Sequence, residues 1–219
     1  DGSGHTGTSN TFTVDPGVLA NFLVESSGGG TIPTQTAGSA FNVKVTARDA
    51  SNNTVTGFTG TVNITSSGIL SSGSGTTGAF TGGVLASHSV TISNTGSFTL
   101  SATRTGFSET GTSNTFTVNP AALHHFAIAN ITSPQVAGTA FNITLTAQDS
   151  TNNTVTGFTG TVGLSTTAGT ITPTTSGSFT AGVLTQSVTV TQTGTARTIT
   201  ADDGSGHTGT SNTFTVDPG

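Results

Sequence analysis

The sequence predicts an all-β protein made of two tandem sandwiches, with essentially no helix. Apolar and polar residues alternate, so that Phe41, Val43, Val45 and Ala47 share one face of an extended segment. Segments of this kind recur roughly every 10 residues and are separated by Gly, Asn, Ser and Pro, as in other sandwiches. No segment of useful length follows the 3.6-residue period of an amphipathic helix.

Composition and charge narrow the possible functions. The 219 residues suffice for two domains of about 100 residues, each with its own core. A net charge of −5 with only four Lys and Arg residues leaves no basic patch for phosphate, which excludes nucleic acid as an expected partner. Cys is absent, which excludes a disulfide framework and thiol chemistry. No apolar run approaches the roughly 20 residues of a membrane span. The chain starts at Asp1 without Met, and we expect it to be an interior part of a longer protein.

Two levels of internal repetition organise the chain. Residues 1–17 and 203–219 are identical, and because residue 203 repeats residue 1 the period is 202 residues. Within that period, residues 37–62 resemble residues 137–162 at an offset of 100. The segment GTSNTFTV recurs, starting at 7, 111 and 209, and closes each unit. Repetition of this kind is typical of a protein that gains length with each copy.

The repeats also predict the domain boundaries. We interpret residues 1–17 as the last strand of a preceding repeat. Residues 18–119 are predicted to form the first domain and residues 120–219 the second. Each domain then ends on the same strand.

The alternation predicts the individual strands. The segment that contains Phe41 is matched in the second unit by one that contains Phe141, and its inward positions stay apolar while its outward positions change. In the first unit the further predicted strands are 19–25, 58–65, 86–93, 97–104 and 112–118. In the second unit they are 121–129, 158–164, 184–191, 195–201 and 210–216.

Each of these two best-defined strands is followed by a run of turn-forming residues. The runs are Asp49-Ala-Ser-Asn-Asn and Asp149-Ser-Thr-Asn-Asn. Asp, Ser and Asn side chains hydrogen-bond their own backbone, so we predict a tight, ordered loop at both places.

The junctions between domains contain almost no linker. The last strand of one domain leads through Asp-Pro or Asn-Pro directly into the first strand of the next. Proline fixes one backbone angle and restricts the preceding residue to extended conformations, so the hinge is predicted to be short and stiff. The junction residues, to which we assign a structural role, are Asp15, Pro16, Asn119, Pro120, Asp217 and Pro218.

No catalytic, cofactor-binding or metal-binding residue is predicted, and the chain is not expected to be an enzyme. A zinc site needs three or four converging ligands, whereas His124 and His125 are neighbours on a predicted strand and are expected to point to opposite faces. Lys44 is expected on an outer face, which argues against a Lys–Asn crosslink. No nucleophile elbow or phosphate loop occurs.

Calcium at a junction is the one cofactor alternative. Several acidic residues lie near the domain ends, but calcium needs six to eight oxygen ligands, and we prefer turn-forming and solvated roles for these carboxylates. The residues concerned are Asp15, Asp49, Asp149, Asp202, Asp203 and Asp217.

One repeated motif resembles a known family. The run A-G-x-A-F-N-[VI]-x-[VL]-T-A-x-D-x-x-N-N-T-V-T-G-F-T-G-T-V, followed by F-T-V-[DN]-P, resembles the bacterial immunoglobulin-like repeats of invasin and intimin type and of giant adhesins. The resemblance covers essentially the whole chain. It implies seven-stranded immunoglobulin-like sandwiches, an extracellular, cell-surface location and a role as a spacer.

These observations lead to a structural function as the first hypothesis. The chain is expected to be an extension module in the stalk or fibre of a bacterial surface protein. Its expected partners are adjacent identical repeats in the same chain and, in a fibre, neighbouring copies. The alternatives are a self-assembling filament subunit and a glycan-binding accessory module, although the Trp and Tyr that usually stack on sugars are absent.

Overall fold

A computed structural model describes residues 2–219, and all the regular structure in this range is β. Asp1, with which the predicted segment 1–17 begins, lies outside the described residues. The described range contains no helix, so it has none that is long and apolar enough to cross a membrane. The all-β prediction is confirmed.

The strands are short and fall into two groups along the chain. The first group is β1 (Asn21–Ser26), β2 (Gln35–Thr36), β3 (Ala40–Arg48), β4 (Val62–Ser66), β5 (Leu70–Ser72), β6 (Gly75–Thr76), β7 (Val84–Ile92), β8 (Gly96–Phe98), β9 (Leu100–Arg104), β10 (Thr110–Thr112) and β11 (Phe116–Asn119). The second group is β12 (His125–Ile128), β13 (Gln135–Val136), β14 (Phe141–Gln148), β15 (Gly163–Thr166), β16 (Ile171–Thr172), β17 (Val183–Val190), β18 (Gly194–Arg197), β19 (Ile199–Asp202), β20 (Thr208–Thr210) and β21 (Phe214–Asp217).

The first group forms a sandwich. One layer is the sheet β1-β3-β7-β5, and the other is made of the sheets β10-β9-β4-β6 and β2-β11-β8. Both layers supply side chains to one core, among them Val24 and Val45 from the first layer and Ile64, Leu100 and Val118 from the second. Complete burial of an aliphatic side chain of this size contributes roughly 1.5–3 kcal/mol.

The second group repeats this arrangement around a separate core. Its sheets are β12-β14-β17-β16, β13-β21-β18 and β15-β19-β20. The core contains Phe126, Leu145, Leu164, Ile199 and Val216, and it shares no residue with the first core.

The alternation that predicted β3 is confirmed at its inward positions. Val43, Val45 and Ala47 are fully buried, and Phe41 is half-buried against the same core. Thr46, expected on the outer face, is also buried at 8% exposure. The reason is that β3 is a central strand, so Thr46 lies between Leu23 of β1 and Val84 of β7 on that face.

The predicted strands 58–65 and 158–164 begin too early, since β4 and β15 begin four and five residues later. Phe58 is buried all the same, because it packs on Phe22 and Phe80 with ring centroids 5.4 and 5.0 Å apart. The second sandwich has the same three-ring cluster. An irregular segment can therefore fill a core as well as a strand does.

The predicted strand 121–129 also begins too early, since β12 begins at His125. The remaining differences concern divided and short strands. Each predicted strand that closes a unit is divided in two, as 112–118 is into β10 and β11. The break is held by Asn114, whose side chain accepts from the Ile32 N–H at 2.8 Å and donates to the Ile32 carbonyl at 3.0 Å. Strands of two or three residues, such as β2 and β6, were not predicted. The described residues form eleven and ten strand segments, and the number of seven per sandwich stays a prediction.

One pairing fixes where the chain leaves each sandwich. The last strand of the first sandwich, β11, pairs in parallel with β2, with Val118 beside Gln35 and Asn119 beside Thr36. The end of β11 therefore lies next to the connection between β2 and β3. The pair β13 and β21 repeats this geometry in the second sandwich.

Candidate functional site at the joint between the sandwiches

The loop after β14 is built around one buried carboxylate. Asp149 Oδ1 accepts the backbone N–H groups of Thr151 at 2.8 Å and Asn153 at 2.9 Å. Its other oxygen, Oδ2, accepts the N–H of Ala121 at 3.0 Å. Asp149 thus ties the loop to the residue that follows the junction proline.

The loop after β3 has the same construction. Asp49 Oδ1 accepts the N–H groups of Ser51 and Asn53, each at 2.9 Å, and Asp49 Oδ2 accepts the N–H of Gly17 at 2.8 Å. Asn52 has a φ of 67°, a conformation that Asn tolerates well. The predicted tight loops are confirmed, and each also holds the chain segment that leads into its sandwich.

These contacts favour the charged form of both aspartates. Hydrogen bonds from the Asn53 side chain and the Gly17 backbone lower the pKa of Asp49 to about 2. Burial acts to raise the pKa of Asp149, but the hydrogen bonds from Asn153, Ala121 and others outweigh it and lower that pKa to about 2 as well.

The shifts predict a loss of stability in acid. A carboxyl whose pKa is depressed by folding stabilises the protein above its unfolded pKa, near 4, and this stabilisation is lost as the pH falls through the folded pKa. We therefore expect the free energy of unfolding to stay level from about pH 7 to 5 and to fall between about pH 4 and 2. Urea titrations at a series of pH values measure this directly.

The double variant Asp49→Asn, Asp149→Asn is the control for that acid transition. Its unfolding free energy is expected to depend less on pH over the same window. Part of the pH dependence is expected to remain, because the pKa values of Glu109 and Asp203 are also lowered. An acid transition of unchanged size in the double variant would show that these loops are not its source.

The second loop also contacts the first sandwich. Asn153 Nδ2 donates to the Ser93 carbonyl at 2.8 Å, and Asn153 Oδ1 accepts from the Thr95 N–H at 3.3 Å. The Thr151 methyl lies beside Gly38, since a Cβ placed on that glycine would be 3.4 Å from it. One Asn side chain therefore bridges its own loop and the connection between β7 and β8. We call this contact between loop 149–153 and the first sandwich the joint.

The junction residues predicted from the sequence contribute mainly backbone groups, at the joint and at the outer end of the second sandwich. The Asn119 carbonyl accepts from the Ala37 N–H at 2.8 Å, and the Asp217 carbonyl accepts from the Ala137 N–H at 2.9 Å. Pro16 and Pro120 are half-buried, whereas Asp15, Asn119, Asp217 and Pro218 are exposed.

The side chains that hold the joint are Asp149 and Asn153, which sequence reasoning assigned to a turn alone. The available signal was the recurrence of Asp-x-x-Asn-Asn at the same position in both units.

A matched pair of variants separates the joint from the loop. Asn153→Ala removes the two bonds to the first sandwich together with the side-chain bonds to Asp149 and Thr151. Asn53→Ala removes only the corresponding loop bond, from Asn53 Nδ2 to Asp49 Oδ2. We expect Asn153→Ala to increase the relative motion of the two sandwiches and Asn53→Ala to leave it unchanged. Domain alignment from NMR residual dipolar couplings measures the effect, and equal behaviour of the two variants would contradict it.

One expectation about the histidines is wrong. His124 and His125 do not point to opposite faces, because their Nδ1 atoms are 3.2 Å apart. His124 precedes the first residue of β12, so the alternation of a strand does not apply to it. No group of three His, Cys, Asp or Glu residues close enough to hold a metal occurs among residues 2–219.

Other charged groups have the simpler roles that were expected. Asp203 Oδ1 accepts from the Ser205 N–H at 2.8 Å within a turn, and its Oδ2 lies 2.7 Å from His207 Nδ1. Lys44 lies at the surface, with its Nζ 3.4 Å from Glu25 Oε1.

Comparison with known proteins gives structural likeness only. Neither a family model nor a curated protein sequence matches the chain. It is similar to FdeC, an Escherichia coli adhesin, at 19% identity and a TM-score of 0.45, over 93% of this chain and 67% of that one. It is also similar to the D00-D0 domain of intimin, at 12% identity and a TM-score of 0.45, over 90% of this chain and 99% of that one. A β-glycosidase from Bacteroides vulgatus is similar at 13% identity and a TM-score of 0.39, over 90% of this chain and 25% of the enzyme.

At these identities and TM-scores, the fold assignment rests on the strands and cores of this chain itself.

Proposed function

We propose that the chain is an extension module of a tandem array, which forms the stalk or fibre of an extracellular bacterial surface protein. The observation that carries this proposal is the joint, where only residues 120–124 separate β11 from β12 and Asn153 bonds to Ser93 and Thr95. A joint of this kind limits bending. Together with a 202-residue repeat, it suits a unit that adds length.

The interior of the sandwiches supports a passive role. Among the described residues, the buried polar side chains are Thr, Ser and the two loop aspartates, all small groups. The two aspartates are used by their loops. We propose that the module has no catalytic role.

Electron microscopy of native material from the source cells tests the proposal, with light scattering on a chain lengthened by one period. A sandwich should span on the order of 40 Å, since strands rise about 3.4 Å per residue. Thin, isolated rods whose length grows by two sandwiches per period are expected. Ordered bundles would favour the self-assembling filament instead, and compact particles would overturn both.

A further inference from the structure

The outer end of each sandwich carries the same groups as one side of the joint between the sandwiches. Asn153, at the joint, is half-buried, and its counterpart Asn53, at the outer end of the first sandwich, is exposed. Residues 93–95, at the joint, are half-buried, and their counterparts 191–193 are exposed. Ala37 is buried at 2% exposure while Ala137 is half-buried. In each pair the more covered member lies at the joint.

Loop 49–53 has the same internal hydrogen bonds as its counterpart at the joint, although no neighbouring sandwich of the described chain contacts it. Asp49 holds Asn53 and Gly17 with the same bonds that Asp149 makes to Asn153 and Ala121. Beside Asn53 lies a cleft of about 260 Å³, lined also by Val14, Asp15, Pro16 and Thr54. The loop therefore keeps its conformation with nothing of a neighbouring sandwich core against it.

The opposite end presents the matching groups. At the joint, Asn153 bonds to a backbone carbonyl and a backbone N–H of residues 93–95, not to their side chains. The counterpart connection between β17 and β18 has the same length and carries Thr-Gln-Thr in place of Ser-Asn-Thr. Asn153 contacts only backbone groups, and these do not depend on the side chains. The connection 191–193 therefore has the same carbonyl and N–H groups to bond with.

Continuity of the chain brings the two surfaces together. Gly219 is the repeat of Gly17, and it lies against the Ala137 carbonyl, since a Cβ placed on Gly219 would be 2.7 Å from that oxygen. A following copy would begin at this point. Its own loop 49–53 would then face residues 191–193.

We propose that loop 49–53 is a preformed socket for residues 191–193 of the preceding repeat. The Asn53 side chain donates to the Thr191 carbonyl and accepts from the Thr193 N–H. The inference rests on the proposed tandem array. It adds that the joint between periods is built like the joint within a period, so that all joints in the array are alike.

The test uses the full chain lengthened by one period, with residues 18–219 repeated after Gly219. The protein has no native Cys, so spin labels can be placed by Ser187→Cys in the first period and Ser89→Cys in the second. Both positions are exposed strand residues on either side of the proposed joint. Electron–electron double resonance then gives the distribution of distances between the labels.

A narrow distribution is expected for the lengthened chain. Asn53→Ala in the second period should broaden it about twofold. The same substitution in the first period alters an identical loop away from this joint and should leave it unchanged. A broad distribution without any Asn53 substitution, or no response to the second-period variant, would overturn the socket. Rods in the electron micrographs together with that result would retain the tandem array and reject only the socket.

Discussion

Deleting residues 203–219 should convert the protein into a head-to-tail polymer. The deletion removes β20 and β21, and with them Phe214 and Val216, which are buried in the second core at 2% and 1% exposure. The identical segment 1–17 remains at the other end, where Phe12 and Val14 are 77% and 80% exposed. Segment 1–17 of one molecule can therefore complete the second sandwich of another.

Segment 1–17 cannot complete the second sandwich of its own molecule. Seventeen extended residues reach at most about 60 Å. Two stacked sandwiches span on the order of 80 Å. Association must then occur between molecules and grow with concentration. Sedimentation velocity and multi-angle light scattering are expected to show a ladder of species for the shortened chain and a monomer for the complete one.

Two controls make this result specific to the exchanged strand. Phe12→Asp in the shortened chain places a charge where Phe214 is normally buried, and it should prevent polymer growth. A peptide with the sequence of residues 203–219 should terminate the polymers and return the chain to short species. A shortened chain that is folded and monomeric would contradict the interpretation of residues 1–17 as the last strand of a preceding repeat.

Gly209→Ala should destabilise the second sandwich severely. The backbone of β20 crosses β12 so closely that a Cβ on Gly209 would lie 1.9 Å from the Phe126 carbonyl oxygen. No rotation of a side chain can relieve a clash with backbone, so β20 must move away from β12. We expect a loss of about 2–3 kcal/mol or more in the free energy of unfolding, as for other overpacked cores. Urea unfolding of the second sandwich measures it.

The repeat supplies a matched control in the same chain. Gly7 has the same sequence neighbours as Gly209, yet a Cβ there would meet nothing within 4 Å. Gly7→Ala should leave stability unchanged. Gly111→Ala should act on the first sandwich as Gly209→Ala acts on the second, because its Cβ would lie 1.7 Å from the Phe22 carbonyl oxygen. Equal stabilities for the variants at Gly7 and Gly209 would rule out the close crossing.

The sequence was sufficient to predict those parts of the structure that depend on a local pattern of residues. Alternation identified the buried face of β3, because successive side chains of a strand point to opposite sides. Asp, Ser and Asn in a row identified the loop at Asp49, because these side chains bond their own backbone. Alternation did not show that Thr46 is covered by its neighbours. It also did not show that Phe58 enters the core from an irregular segment.

The joint could not be predicted, because its contacts are distant in sequence and use backbone groups. Asn153 bonds to Ser93, 60 residues away, through a carbonyl that every residue carries. No pattern of residue types marks such an acceptor. Likewise the position of His124 just ahead of β12 depends on where pairing with β14 starts, which alternation places only approximately.

The bond between Asp149 and Ala121 has a consequence for how the molecule responds to pulling. The chain enters the second sandwich beside the end of β14 and leaves beside β13 at the opposite end. Tension between these points acts along β12 and β21, so their ladders are loaded in shear and many hydrogen bonds must fail together. The Asp149 carboxylate binds the chain at Ala121, before β12 begins, so β14 bears part of the applied force. The hydrogen bond from the Gly17 N–H to Asp49 has the same effect in the first sandwich. The force needed to unfold either sandwich should therefore drop when its aspartate is replaced.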